Sequence, residues 1–167
     1  PGNPPSRELK VDRHKRMGGG AGYAEKRWSH TGLLLSPRKG SVCFLGLGTA
    51  VSLAAARSYD FKRIEGVELL QDVIEALPWF KAINDAAYKD FRVNIHSADA
   101  RRFIAADNRN YEAIVADLYH PDASGVSSLF SQDHFLRILR RLSPDGVFIQ
   151  FLPLYQLNEP TLKFIIR

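Results

Sequence analysis

Apolar runs alternate with amphipathic segments over most of the chain, and this pattern predicts alternating strands and helices. Strands are predicted where short runs are apolar or alternate between apolar and polar residues. These runs are residues 41–45, 63–69, 92–97, 113–118 and 147–151. The run at 113–118 is apolar on both faces, as a parallel sheet covered by helices on both sides requires.

Helices are predicted in the segments between these strands. They are an alanine-rich segment at 49–58, a segment with Val73, Ile74 and Leu77 on one face and Pro78 near its end, a segment after Asp99, and a segment after Ser131. In the last one Ser131 suits an N-cap, and Phe135, Ile138, Leu139 and Leu142 recur at i, i+3, i+4 and i+7. Strands that alternate with helices are joined by right-handed crossovers, so the pattern predicts an α/β fold with a parallel sheet.

The two ends of the chain depart from this alternation. Residues 1–6 are rich in proline and are predicted to have no regular structure. Residues 9–11 suit a short strand that is broken at Gly18-Gly19-Gly20, and residues 23–35 have helical character that ends at Ser36-Pro37. A turn is predicted at Pro144-Asp145-Gly146, and a further helix starts at residue 159.

Composition changes this picture little. The 167 residues suit one domain, and a hydrophobic content of 45% is enough for a sizeable core. The only cysteine, Cys43, excludes an internal disulfide framework and is predicted to be a small buried hydrophobe. No apolar stretch approaches the ~20 residues of a membrane span, and no signal peptide begins the chain. We therefore expect a soluble, cytoplasmic protein, although a parent protein could carry a membrane domain.

Positive charge is concentrated near the amino terminus. Residues 1–40 hold nine Lys or Arg and three Asp or Glu, a net charge of +6, whereas the remainder has a net charge of −1. A basic arm of this kind could contact nucleic acid or another anion. Because the basic residues there are not interleaved with aromatic residues, as they are in proteins that bind single strands, we favour a solvated terminus over a nucleic-acid interface.

The first candidate site is the turn Gly46-Leu47-Gly48-Thr49-Ala50 between the first predicted strand and its helix. Glycines there allow a tight turn and close approach of a dinucleotide or nucleoside to the backbone. Glu68 closes the second strand, 20 residues after Gly48, where a carboxylate can accept hydrogen bonds from both ribose hydroxyls. The alternatives are a simple tight turn and a solvated glutamate.

Polar side chains also end the later strands. Asp99 precedes Ala100 at the start of a helix, where it could face an adenine amino group, act as an N-cap, or do both. Asp117 ends the fourth strand and could orient or deprotonate an amine, unless it is an ordinary residue at the start of a loop. His120 follows it and Gln150 lies in the fifth strand; either could line the same cleft or be incidental.

Several longer motifs resemble the spermidine synthase family, most closely the spermidine-synthase-like proteins that are often fused to a membrane domain in bacteria. They are Gly46-Leu47-Gly48-Thr49, Val67-Glu68, Ser97-Ala98-Asp99-Ala100-Arg101-Arg102-Phe103, Ala116-Asp117-Leu118-Tyr119-His120-Pro121, Ser127-Ser128-Leu129-Phe130-Ser131 and Phe148-Ile149-Gln150-Phe151-Leu152-Pro153-Leu154-Tyr155-Gln156-Leu157. Shorter matches occur at Arg16-Met17-Gly18-Gly19, between Glu25 and His30, and at Leu33-Leu34-Leu35. The resemblance covers nearly the whole chain.

The resemblance implies a Rossmann-like, S-adenosylmethionine-dependent methyltransferase-type parallel sheet that lacks its last two strands here. It implies that residues 1–36 are a basic arm and a remnant of a small β domain, and that residues 37–167 are the truncated nucleoside-binding domain. The implied reaction transfers an aminopropyl group from decarboxylated S-adenosylmethionine to putrescine and uses no metal. By resemblance Glu68 would hold the ribose, Asp99 the adenine, Asp117 the attacking amine, and Gln150 would line the polyamine end; a homodimer is common in the family.

Two departures weaken amine binding. The family's synthases usually carry an aspartate where this chain has Thr49, and another where it has His120. Each charge-assisted hydrogen bond contributes ~1.5–3 kcal/mol, so losing two could lower amine affinity by two or more orders of magnitude. Ala50 also replaces the usual small-loop glycine. Three functions therefore stay open: an aminopropyltransferase, a methyltransferase that uses intact S-adenosylmethionine, and a non-catalytic binding or structural module.

Overall fold

A five-stranded parallel sheet with helices on both faces organises the chain. The computed structural model describes residues 7–11, 14–18, 22–116, 126–152, 154 and 157–166. The strands are β1 (Glu8–Val11), β2 (His14–Gly18), β3 (Ser41–Leu45), β4 (Arg63–Glu68), β5 (Val93–Ser97), β6 (Tyr111–Ala116) and β7 (Leu142–Gln150). The helices are α1 (Gly22–Leu35), α2 (Val51–Ala55), α3 (Gln71–Ala76), α4 (Lys81–Asn84), α5 (Ala100–Ala106), α6 (Gln132–Leu139) and α7 (Glu159–Ile165).

The order of the strands in the sheet is β5-β4-β3-β6-β7, and all neighbours are parallel. The crossovers therefore run outward from β3 in both directions, and the carboxyl ends of all five strands share one edge. This is the methyltransferase-type arrangement that the sequence predicts, with five strands present. Strands β1 and β2 form a separate antiparallel pair.

The core lies on both faces of the sheet because the central strands are covered on both sides. Val42 and Phe44 of β3 pack into one cluster with residues of α1 and α2, whereas Cys43 and Leu45 pack into the other with residues of α5 and α6. This alternation follows from the two-residue repeat of a strand. Cys43 is fully buried and has a free thiol, in agreement with its prediction as a buried hydrophobe.

The structure corrects several element boundaries. Leu142 lies in β7, opposite Tyr111, and not in α6, which ends at Leu139. The turn at Pro144-Asp145-Gly146 is an irregularity within β7, where Asp145 has a φ of 64°. Pairing with β6 outweighs the helical repeat here, because an apolar residue at position 142 suits either element.

Three further differences concern the helices and the amino-terminal strands. The helix predicted at 49–58 is only α2, followed by a 3₁₀ turn at Ala56–Ser58. The helix after the second strand stops at Ala76 and continues as a 3₁₀ turn, Leu77–Phe80, with Pro78 in its first positions. The predicted strand at 9–11 has a partner, β2, that the sequence pattern missed. No helix in the described ranges is long and apolar enough to span a bilayer.

Candidate functional site

The loop between β3 and α2 is built from residues in left-handed backbone conformations. Gly46 and Gly48 have φ values of 87° and 50°, and Ala50 has a φ of 60°. Glycine adopts this region without strain, whereas the Cβ of alanine makes it unfavourable. Two backbone bonds close the loop: Gly46 N–H donates to Val67 O at 2.8 Å, and Ala50 N–H donates to Leu47 O at 2.7 Å. The predicted glycine turn is therefore present at the carboxyl end of β3; we call residues 46–50 the glycine loop.

Glu68 lies against this loop from the end of the neighbouring strand. Its Oε2 accepts hydrogen bonds from the amides of Leu47 at 3.1 Å and Gly48 at 3.3 Å. Its Oε1 accepts from the amide of Leu70 at 3.1 Å. The side chain is partly exposed, so the carboxylate stabilises the loop and remains accessible to solvent.

Asp99 and Ala100 lie beside Glu68 because β5 pairs with β4. Ser97 is the register partner of Glu68, and Ala98 N–H donates to Glu68 O at 2.9 Å. Asp99 is exposed and caps α5, accepting from Arg102 N–H at 3.0 Å through Oδ1. The N-cap role considered for Asp99 is thus present, and one carboxylate oxygen is not committed to it.

Gln150 lies at the same edge of the sheet, at the carboxyl end of β7 and on the other side of β3 from Glu68. It is the register partner of Ala116 at the end of β6, and Ala116 pairs with Leu45 at the end of β3. Its Nε2 donates to Phe151 O at 3.0 Å, while its Oε1 is buried and has no hydrogen-bond partner among the residues that the structure describes. Asp117 and His120, the other two candidates for the amine side, lie outside the described residues.

Thr49 occupies the loop position that distinguishes this chain from the resembling synthases. Its side chain is completely buried, and within the described part of the chain its Oγ1 has no hydrogen-bond partner. The backbone carbonyl of Thr49 accepts from Nδ2 of Asn84 at 3.0 Å. Sequence reasoning missed Asn84, because a single asparagine at the end of a short helix carries no pattern that marks it.

A buried ionic cluster lies farther from the glycine loop, where β4 meets the loop before β6. Glu65 is 1% exposed and accepts from Arg109 at 2.7 Å and from His96 at 2.5 Å. Burial alone would raise the pKa of Asp107, but hydrogen bonds from Arg109 and Tyr111 outweigh it and the pKa lies below its usual range. Every acid here has a cationic or hydroxyl partner, so the cluster is a structural tie between strands.

His134, in the first turn of α6, is a second buried residue that sequence reasoning missed. It is completely buried, and neither ring nitrogen has a hydrogen-bond partner in the described ranges. Burial and the nearby Arg101 and Arg137 lower its pKa to about 4. Within the described ranges, no group of three or more His, Cys, Asp or Glu side chains is arranged to hold a metal ion.

The sequence matches a family model described as the spermine/spermidine synthase domain over residues 23–166. Polyamine aminopropyltransferase 2 of Bacillus anthracis is 28% identical over 120 residues, which are 70% of this chain and 33% of that protein. The polyamine aminopropyltransferase of Nitrosomonas europaea is 33% identical over 101 residues, covering 60% of this chain and 30% of that protein. The chain thus spans about a third of the length of these relatives.

Two solved structures with a similar fold are spermidine synthases. A spermidine synthase in complex with the transition state analogue AdoDATO has a TM-score of 0.76 at 20% identity, over 83% of this chain and 48% of that one. The spermidine synthase of Thermotoga maritima has a TM-score of 0.75 at 20% identity, over 88% of this chain and 50% of that one. At this identity the likeness shows the fold alone.

Proposed function

Because the chain belongs to the spermine/spermidine synthase domain family, whose model matches residues 23–166, we propose that it carries out aminopropyl transfer. The family membership confirms the resemblance found in the sequence. The proposed reaction moves an aminopropyl group from decarboxylated S-adenosylmethionine to an amine of a polyamine and releases methylthioadenosine. Support comes from the curated relatives, named polyamine aminopropyltransferases, and from the similar synthase that binds AdoDATO.

One observation carries the proposal: the Glu68 carboxylate touches the glycine loop at the carboxyl ends of two adjacent parallel strands. Ligands of open parallel sheets bind in the crevice at this edge. We assign the ribose hydroxyls to Glu68, and the adenine side to Asp99 and Ala100. Gly46, Gly48 and Thr49 would line the loop side of the nucleoside.

The chemistry is a displacement at carbon. An unprotonated amine nitrogen forms a bond to the aminopropyl methylene carbon that is attached to the sulfonium. The bond between that carbon and sulfur breaks, and its electron pair stays on the sulfur of methylthioadenosine. The nitrogen then loses a proton. We assign Asp117 to orient the amine and accept that proton, and His120 and Gln150 to line the amine. The roles of Asp117 and His120 rest on the sequence.

Other expectations accompany this proposal. The division into residues 1–36, with the β1–β2 pair as a remnant of a small β domain, and residues 37–167 stays a proposal. So do a metal-free reaction, a homodimer, and a solvated basic arm that does not bind nucleic acid. Light scattering of the purified chain tests the dimer, and a gel-shift titration with a short duplex tests the arm.

A second candidate is methyl transfer from intact S-adenosylmethionine, and Thr49 favours it. The resembling synthases have a carboxylate at this loop position, which would pair with the free ammonium of a decarboxylated tail. In this chain the Thr49 side chain is neutral and buried, so the loop supplies no such charge. The tail of intact S-adenosylmethionine carries its own carboxylate beside the ammonium, so it depends less on a negative charge from the loop.

Calorimetric titration separates these functions. Methylthioadenosine, S-adenosylmethionine and its decarboxylated form are each titrated into the protein. Tight binding of the decarboxylated form over the intact one supports aminopropyl transfer, the reverse supports methyl transfer, and no binding by any of the three rejects both. Asp117→Asn should then remove turnover but keep cofactor affinity. Asp60→Asn, an exposed carboxylate before β4 at the opposite edge, is the matched control and should change neither.

A further inference from the structure

A buried asparagine outside the assigned site donates a hydrogen bond to the glycine loop. Asn84, the last residue of α4, is 0% exposed. Its Nδ2 donates to Thr49 O at 3.0 Å and to Leu77 O at 3.1 Å, and its Oδ1 accepts from Ala86 N–H at 3.0 Å. These partners fix the orientation of the amide, because two carbonyl oxygens can only accept and a backbone N–H can only donate.

The carbonyl that Asn84 binds belongs to the peptide group between Thr49 and Ala50. The other polar group of that peptide, Ala50 N–H, donates to Leu47 O at 2.7 Å. The peptide is therefore held at both ends, from α4 on one side and from the start of the loop on the other. Its orientation sets the φ of Ala50, which is 60° and unfavourable for alanine.

The two halves of the loop thus have different supports. Glu68 holds the amides of Leu47 and Gly48 from β4, and Asn84 holds the Thr49–Ala50 peptide from α4. Asp85 and Ala86, which follow Asn84, both have a φ of 51°. The hydrogen bond from Ala86 N–H to Asn84 Oδ1 holds the Asn84 side-chain amide in position. A loop fixed before ligand arrives binds more tightly, because less ordering is needed on binding.

We infer that Asn84 is a positioning residue for nucleoside binding, acting through the Thr49–Ala50 peptide and without touching the ligand. This inference rests on the proposed nucleoside-binding function. It adds to that function a residue, Asn84, that lies 35 positions along the sequence from Thr49, whose carbonyl it binds. The inference predicts that the effect of Asn84 on affinity depends on residue 50. Asn84 is needed to hold the Thr49–Ala50 peptide because residue 50 is alanine and not glycine.

The test is a double-mutant cycle with methylthioadenosine as the calorimetric probe. Asn84→Asp keeps the acceptor for Ala86 N–H and removes both donors, so the affinity should fall at least tenfold. Ala50→Gly relieves the unfavourable φ. In the Ala50→Gly background, the fold-loss of methylthioadenosine affinity caused by Asn84→Asp should be at least three times smaller than in the wild-type background. Equal losses in both backgrounds, or no loss in either, overturn the inference.

A matched control separates positioning from loss of stability. Phe61 is fully buried just before β4, at the opposite edge of the sheet. Phe61→Leu should lower the thermal midpoint and leave methylthioadenosine affinity within twofold. Asn84→Ala, which puts no charge in the core, is measured in parallel and should repeat the affinity loss if Asn84→Asp does not fold.

A second readout needs no ligand and separates this inference from the proposed function. If wild-type protein does not bind methylthioadenosine, the nucleoside proposal fails, and amide hydrogen exchange still tests Asn84. Exchange at Ala50 N–H should be at least tenfold faster in the Asn84 variants than in wild type or Phe61→Leu. Unchanged exchange at Ala50 would show that Asn84 does not hold the loop.

Discussion

In the proposed nucleoside site Glu68 would have two tasks that compete for the same oxygen atoms. Three backbone amides, those of Leu47, Gly48 and Leu70, already donate to its carboxylate. A carboxylate accepts about four hydrogen bonds, so one position is left for two ribose hydroxyls. Nucleoside binding at Glu68 therefore requires the hydroxyls to share an oxygen with a loop amide, which ties the loop's conformation to occupancy of the site.

We expect Glu68→Gln to weaken methylthioadenosine binding by about 10–100-fold. The amide side chain has one acceptor oxygen, and its NH₂ group would face a backbone N–H, with ~1.5–3 kcal/mol lost for each charge-assisted bond. Calorimetry measures the change, with the exposed Glu75→Gln on α3 as control. An affinity within twofold of wild type would remove Glu68 from the nucleoside site.

His134 makes stability depend on pH in a defined direction. Its pKa is about 4 in the folded protein against 6.5 when exposed, because of burial and the charges of Arg101 and Arg137. A lowered pKa means that the unfolded chain binds the proton first. Stability should therefore be unaffected by this group above pH 6.5 and fall as the pH drops towards 4, by up to ~1.4 kcal/mol per pH unit.

His134→Phe should remove this component. Urea unfolding at pH 7.5 and pH 5 gives the loss for each protein, and the variant should lose about 1–2 kcal/mol less than wild type between these values. Asp107, whose pKa is lowered, adds no loss until more acidic pH and is common to both proteins. Equal losses would contradict the assignment of the acid sensitivity to His134.

At the scale of elements, the ionic cluster links strands that the hydrophobic core already places side by side. Glu65 of β4 meets Arg109 before β6 and His96 of β5, and Arg63 lies 3.9 Å away at the surface. The same buried carboxylate thus has a close, partly buried partner and a distant, half-exposed one. Their contributions to stability should differ accordingly.

Arg109→Ala should lower the free energy of unfolding by about 2–4 kcal/mol, because it leaves Glu65 and Asp107 without their main cationic partner. Arg63→Ala is the matched control and should cost less than ~1 kcal/mol, as exposed ion pairs do. Urea unfolding at pH 7.5 compares the two. Similar losses would mean that burial of Glu65 does not depend on Arg109.

The local hydrophobic pattern predicts an element correctly where it fits only a strand or only a helix. It fails where a residue suits both. The runs that became β3 to β6 are short, are apolar or alternate, and are separated by helical segments, so the strands and the parallel sheet follow from the sequence. Leu142 suits both the helical repeat and a strand, and pairing with Tyr111 decides for β7. The contact of Glu68 with the glycine loop follows from adjacent strand ends, whereas the role of Asn84 depends on a fold of short helices that no repeat encodes.

At the scale of the molecule, the candidate ligand site joins separate strands. The glycine loop follows β3, Glu68 ends β4, and Asp99 follows β5, so one nucleoside would link three strand ends on one side of the sheet. Gln150 ends β7 on the other side of β6. Occupancy should therefore stabilise the whole sheet and not one loop, since a ligand that binds only the folded state shifts the unfolding equilibrium by mass action.

We expect methylthioadenosine at 100 times its dissociation constant to stabilise the protein by about 2.7 kcal/mol. For a chain of this size that corresponds to a rise of roughly 5–10 °C in the thermal midpoint, measured by calorimetry. Amide exchange should slow at the ends of β3, β4 and β5 together. Putrescine alone is the control and should give a smaller shift, because the nucleoside makes most of the strand-end contacts. A rise with putrescine alone as large as that with methylthioadenosine, or slowed exchange confined to the glycine loop, would contradict a site shared by the three strands.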